Sequence, residues 1–175
     1  MSVYEDGLED TLKTTYYLDL KKKLAGSATA DGTDKYYRLS QYGEGEFGQN
    51  LDVHHENFRD LMHNENIKLS SLGIGSYMGE PTDKVDFELY NAIKTSVMSG
   101  GVNHIDTAPN YRYMKSERTI GRALAVLDQK YDIKRESLFV ASKVGYIPED
   151  GDNLITISEM AKSLVQDHGV PEESI

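Results

Sequence analysis

From Ile67 onward the spacing of apolar residues alternates between two periods, and that alternation restricts the fold more than any other feature of the chain. Ile67 and Leu69 lead, through a short hairpin-like approach, into Leu72-Gly73-Ile74-Gly75-Ser76-Tyr77, which reads as a strand. Glycine at 73 and 75 lets another backbone or a ligand come close. Residues 82–99 then place Val85, Leu89, Ala92, Ile93 and Val97 at helical spacing, with Thr82 or Asp83 as cap and Gly100-Gly101 as a left-handed stop. Val102 to Ala108 is a second strand. A second helix is predicted over 116–128, with Ser116 as N-cap and Glu117 where the helix dipole favours it. Its apolar stripe is Ile120, Ala123, Leu124 and Leu127. Leu138 to Lys143 is a near-continuous apolar run, as expected of a parallel strand buried on both faces. A third helix, from about Ser158 to His168, turns Met160, Leu164 and Val165 inward and stops at Gly169 and Pro171. Strand, helix, strand, helix, strand, loop, helix is the order of an α/β fold with parallel strands and right-handed crossovers.

The first 66 residues are written differently. Lys21-Lys22-Lys23 is a basic cluster, Gly26 to Asp34 reads as a flexible linker, and Tyr42 to Gly48 is rich in glycine and acid. Tyr16, Tyr17, Tyr36, Tyr37 and Tyr42 make the segment aromatic without making it apolar. The expectation is a mostly irregular N-terminal extension over 1–66, either docked onto a surface or a disordered tail, followed by one α/β unit over 67–175. His54, His55 and His63 have no acidic or cysteine partner at a recognised spacing, so no metal site is expected.

Net charge excludes some partners. With 29 acidic against 19 basic residues the chain carries −10, whereas a nucleic-acid face needs a basic surface. There is no cysteine, so disulfides and thiolate metal sites are ruled out. No apolar run approaches the ~20 residues of a membrane helix. Met1 to Asp10 is acidic and has neither an apolar core nor an Arg-rich face, so a cytoplasmic location is expected.

Polar residues collect where the predicted strands end: Tyr77, Asp106 and Lys143. In parallel α/β folds this face carries active sites. Asp106 and Lys143 end neighbouring strands, about 5 Å apart, and are expected to form a buried ion pair. A lysine kept charged there and pointed at Tyr111 favours the phenolate and makes the phenol a better acid. Such a phenol can protonate a developing alkoxide, which a carbonyl reduction by hydride requires. No glycine-rich phosphate loop is present.

The run from Ile105 to Leu124, IDTAPNYRYMKSERTIGRAL, resembles the signature of the aldo-keto reductase family. Leu72 to Tyr77 is similar to that family's first barrel strand, and Phe139-Val140-Ala141-Ser142-Lys143 to the strand carrying its catalytic lysine. The resemblance covers about residues 67–153. It implies the N-terminal part of a TIM (β/α)8 barrel, about three βα units. It implies a nicotinamide cofactor, usually NADPH, and reduction of a small aldehyde or ketone. It assigns Tyr111 as proton donor, Asp106 and Lys143 as the residues that tune it, and Gly75, Ser76, Tyr77 and Asp106 as neighbours of the nicotinamide. Three departures stand out. The family's catalytic histidine has no counterpart, since His168 ends a helix. Arg112 stands where many members have glycine. Only three of eight barrel strands are present. The run from Tyr111 to Glu117, with Gly145 to Asp150, suggests a separate branch of the family. Two functions follow: an NADPH-dependent oxidoreductase that needs further barrel strands, or an inactive reductase-derived scaffold that needs a protein partner.

Overall fold

The computed structural model describes residues 24–42, 53–61 and 64–175. Lys21–Lys23, Tyr16, Tyr17, Gly43–Gly48 and His63 lie outside the described residues.

Three short strands form the centre: β3 (Ile74–Gly75), β4 (His104–Asp106) and β5 (Phe139–Ala141), with the hairpin β1 (Phe58–Leu61) and β2 (Asn64–Ser70) preceding them. β3, β4 and β5 are parallel and lie side by side in sequence order. The crossovers are α2 (Asp83–Met98) and α3 (Lys115–Lys130), which pack against each other. Strands in sequence order, with neighbouring helices on one side, follow the pattern of a barrel segment rather than of a doubly wound sheet. No closed barrel forms among the described residues.

Register sorts the side chains into two faces. Ile74, Ile105 and Val140 stand level with one another, as do Gly75, Asp106 and Ala141. Side chains alternate along a strand, so the first row and the second face opposite sides. Ile105 is wholly buried with Ile93 and Val97 of α2, Ile120 and Leu127 of α3, and Leu138. Each such side chain contributes about 1.5–3 kcal/mol when removed from water. The Asp106 row faces away from this core.

Both crossover helices differ from expectation in detail. Thr82 caps α2 by accepting from the Val85 N–H. Its buried face is Asp86, Tyr90, Ile93 and Val97, turned from the predicted stripe, and Ala92 is exposed. The stripe turns because Asp86 is held inward by ion pairs. Ser116 is not the N-cap of α3. Met114 occupies that position without a side-chain cap bond, and Ser116 is buried in the first turn, where its hydroxyl donates to the Ser76 carbonyl at 2.7 Å.

β5 is only half-buried, not buried on both faces. Among the described residues it pairs with β4 alone, so one edge and one face lack cover. α4 (Ile157–His168) has a capping box between Thr156 and Glu159 and ends at Gly169 with φ 67°. None of its residues is buried; Met160, Leu164 and Val165 are half-covered.

The expected irregular extension is corrected over its described part. Gly26–Asp34 is not simply a linker, because α1 (Ala30–Tyr42) starts inside it. Tertiary contact explains this. A Cβ on Gly32 would come within 2.4 Å of the Glu136 carbonyl oxygen, so the helix presses directly on the turn before β5. The Tyr36 hydroxyl is buried 2.6 Å from the Val97 carbonyl and 2.8 Å from that of Val102. Burial pushes its pKa well above the usual tyrosine value. β2 runs unbroken through residues 66 and 67.

Asn103, fully buried, ties the hairpin to the strands. Its Oδ1 accepts from the Ser70 N–H at 2.9 Å, and its Nδ2 donates to the Lys68 and Ser137 carbonyls at 2.9 and 3.3 Å. Its own N–H donates to Ser70 Oγ at 3.0 Å. Each buried polar group here therefore has a partner, which such groups require.

Candidate active site

Asp106 ends β4 and Lys143 follows β5 by two residues, so alternation turns both to the face opposite the helices. Lys143 Nζ donates to Asp106 Oδ1 at 2.8 Å, to Oδ2 at 2.9 Å and to the Thr107 carbonyl at 2.9 Å. The ammonium also stands 4.7 Å from the centre of the Tyr111 ring. Asp106 above all, and the Tyr111 hydroxyl after it, raise the pKa of Lys143 above the usual lysine value. The expected buried pair is corrected: the two side chains are 45% and 47% exposed, because no described strand covers that face. An ion pair this open contributes little to stability.

The residues expected beside a nicotinamide are placed differently from one another. Gly75 lies level with Asp106, and a Cβ built on it meets open space. Tyr77 is exposed and packs edge-on against Tyr111, with ring centres 5.0 Å apart. Ser76 is buried, and its hydroxyl donates to the Asp106 carbonyl at 3.0 Å. Ser76 thus braces the strand end, while Gly75, Tyr77 and Asp106 line the open side. Pro109, Asn110, Tyr111, Lys143, Val144 and Tyr146 enclose a recess of about 260 Å³. His168 is exposed at the far end of α4.

Tyr111 is set by an unusual loop. Arg112, Tyr113 and Met114 have φ of 51°, 56° and 69°, three consecutive non-glycine residues in the left-handed region. That conformation costs roughly 1–2 kcal/mol per residue and needs support. The Arg112 side chain is buried beneath the loop. It donates to the Glu80 carbonyl at 3.1 and 3.2 Å, and it pairs with Asp86. Lys115 meets Asp86 at 3.1 Å and Asp152 at 2.7 Å. Burial would lower its pKa, but hydrogen bonds to Asp152 and Asp86 outweigh that and raise it to about 12. The Gly151 N–H donates to the Tyr113 carbonyl at 3.0 Å. Arg118 grips both oxygens of Asp150 at 2.6 Å. This pair, with bonds from Asn153 and Asp152, holds the Asp150 carboxyl well below the usual carboxylate range. The loop after β4 is thus bound to the loop after β5.

Sequence reasoning misses this charge network. One signal was present: Asp86 lies at helical spacing with Tyr90, Ile93 and Val97, a carboxylate on a core-facing stripe. The Glu117 carboxylate, in the first turn of α3, accepts from Ser142 Oγ at 2.6 Å and is a second missed link to the loop after β5.

Residues 71–167, more than half the chain, match the family profile described as the Aldo/keto reductase family. The chain belongs to that family. It is similar to Aldose reductase C of Dictyostelium discoideum, at 31% identity over 98 residues. The aligned part is 56% of this chain and 27% of the relative, so the chain spans about a quarter of that protein's length. No solved structure matches the chain significantly. The family match runs past Asn153 to Asp167, so it takes in most of α4 as well as the three strands.

Proposed function

We propose that this chain carries the proton-donating part of an NADPH-dependent carbonyl reductase site, which works together with further barrel strands. The observation that supports it best is the meeting of Lys143 with both Asp106 oxygens and with the Tyr111 ring at the ends of adjacent parallel strands. The nicotinamide end of the cofactor fits what is present: Gly75 offers a strand end with no side chain, and Tyr77 an exposed aromatic wall. When bound, the reduced cofactor supplies hydride to an aldehyde or ketone. Tyr111 gives its hydroxyl proton to the carbonyl oxygen as that atom gains charge. Lys143, held protonated by Asp106, favours the phenolate left behind. Positioned proton donors contribute about 10²–10⁴-fold to such reactions. Asp106 fixes the lysine and does not itself transfer the proton. The preference for NADPH, a small carbonyl substrate and a cytoplasmic location belong to the same reading. So does the division into an N-terminal extension over 1–66 and a barrel portion over 67–175. Among the described residues no helix is long and apolar enough to cross a membrane.

The test is titration of the purified chain with NADPH, followed by tyrosine fluorescence. Saturable quenching is expected, weakened when Gly75→Val fills the open strand end. No binding at any cofactor concentration would sink the reading.

A second reading, a reductase-derived scaffold, draws support from exposed apolar side chains in the segments after β3 and β5: Met78, Val144, Tyr146 and Leu154. Large exposed apolar side chains of this kind are what a partner surface would cover. A scaffold should aggregate alone and become soluble with its partner. A monodisperse monomer that unfolds cooperatively would argue against it.

A further inference from the structure

We infer that Asp86, on α2, is a positioning residue for Tyr111, acting through Arg112 and Lys115 as a carboxylate staple across the left-handed turn between them. The inference rests on the reading of Tyr111 as the proton donor. Asp86 touches neither Tyr111 nor the recess. Its two oxygens engage residues on either side of the strained pair Tyr113–Met114: Oδ1 meets Arg112 Nη2, and Oδ2 meets Lys115 Nζ at 3.1 Å. The three side chains are all buried, with Arg112 1% and Asp86 and Lys115 each 10% exposed. Solvent therefore competes little for these bonds.

The geometry explains how a non-glycine residue occupies position 112. Glycine enters the left-handed region freely, whereas arginine must be held there. Here the side chain that creates the difficulty also supplies the hold, because it passes under the loop to Glu80, Thr82 and Asp86. The Tyr111 backbone is joined directly to this turn, and the Ser116 N–H donates to its carbonyl at 3.4 Å. Release of the staple frees residues 112–114 to leave φ values of 51–69°, and the Tyr111 ring then loses its fixed place against Lys143 and Tyr77. Asp86 lies in the first turn of α2, so the helix after β3 sets the loop after β4.

The test uses the full chain with ring-¹³C tyrosine, the Tyr111 signal being assigned by Tyr111→Phe. Asp86→Asn is made in two backgrounds, native and Arg112→Gly. In the native background the Tyr111 signal is expected to move and to broaden or split. In the Arg112→Gly background, where the Arg112 arm of the staple is already gone, the same substitution is expected to change it little. Equal displacement in both backgrounds, or none in either, overturns the inference. If Asp86→Asn unfolds alone but folds with Arg112→Gly, the coupling stands. If both unfold, Asp86 acts elsewhere and the inference fails. The readout needs no cofactor, so a chain that fails to bind NADPH yet shows this coupling refutes the functional reading and leaves the staple intact.

Discussion

The two ends of the three parallel strands are built on opposite terms. At the N-terminal end α1, the β1–β2 hairpin and Asn103 close the structure, and the central polar groups are buried and partnered. At the C-terminal end the charged pair Asp106–Lys143 is nearly half exposed, with Tyr77, Val144 and Tyr146 in the open around it. In βα barrels one end secures the fold and the other carries the chemistry. The contrast teaches that stability and proposed function are separable between these two groups: substitutions in the Asn103 network should move stability, and those in the Asp106–Lys143 pair should move function, while the buried ion pairs that brace the Tyr111 loop add stability of their own.

The largest effect on stability is expected at the closed end. Asn103→Ala strands the Ser70 N–H and the Lys68 and Ser137 carbonyls, and should lower unfolding free energy by about 3 kcal/mol. Urea denaturation measures it, and a loss below the error of the method would show that this end is not the anchor. Arg118→Met comes next, at about 1–2 kcal/mol at neutral pH, since Asp150 is buried but Arg118 is a third exposed. Its pH dependence has a definite sign. The folded Asp150 carboxyl lies below its unfolded value, so its contribution is present above about pH 4 and is lost as pH falls towards the folded value. The variant should therefore lose less stability than the parent between pH 5 and pH 2, which denaturation at both pH values will reveal.

Tyr36→Phe removes the donor that serves the Val97 and Val102 carbonyls and is expected to cost about 1 kcal/mol, read from the same curves. The smallest stability change is expected at the open end. Lys143→Met breaks an exposed pair and should alter stability by less than about 1 kcal/mol, while it abolishes any carbonyl reduction the site supports. A large loss of stability there would erase the contrast between the ends.

Much of this was legible from spacing alone. The strand ends at Tyr77, Asp106 and Lys143, the two crossover helices and the cap at Thr82 depend on local periodicity and capping chemistry, which a single segment displays. α1 was hidden because Gly26–Asp34 has a linker's composition, and its helix depends on Gly32 fitting against Glu136, a contact over a hundred residues away. The misplaced cap at Ser116 has a similar origin: nothing in Arg112-Tyr113-Met114 advertises three left-handed residues. Their support comes from Asp86, Gly151 and Asp152, on other loops and another helix. The half-exposure of the Asp106–Lys143 pair follows from which strands are neighbours, which spacing within one strand does not record.

The most direct measurement is the ring-¹³C tyrosine spectrum of the chain as NADPH is added. The account predicts that the signals of Tyr77 and Tyr111, at the open end, move together and saturate at one cofactor concentration, while that of Tyr36, at the closed end, stays in place. Signals that do not move, or that move as much at Tyr36 as at Tyr111, would contradict it.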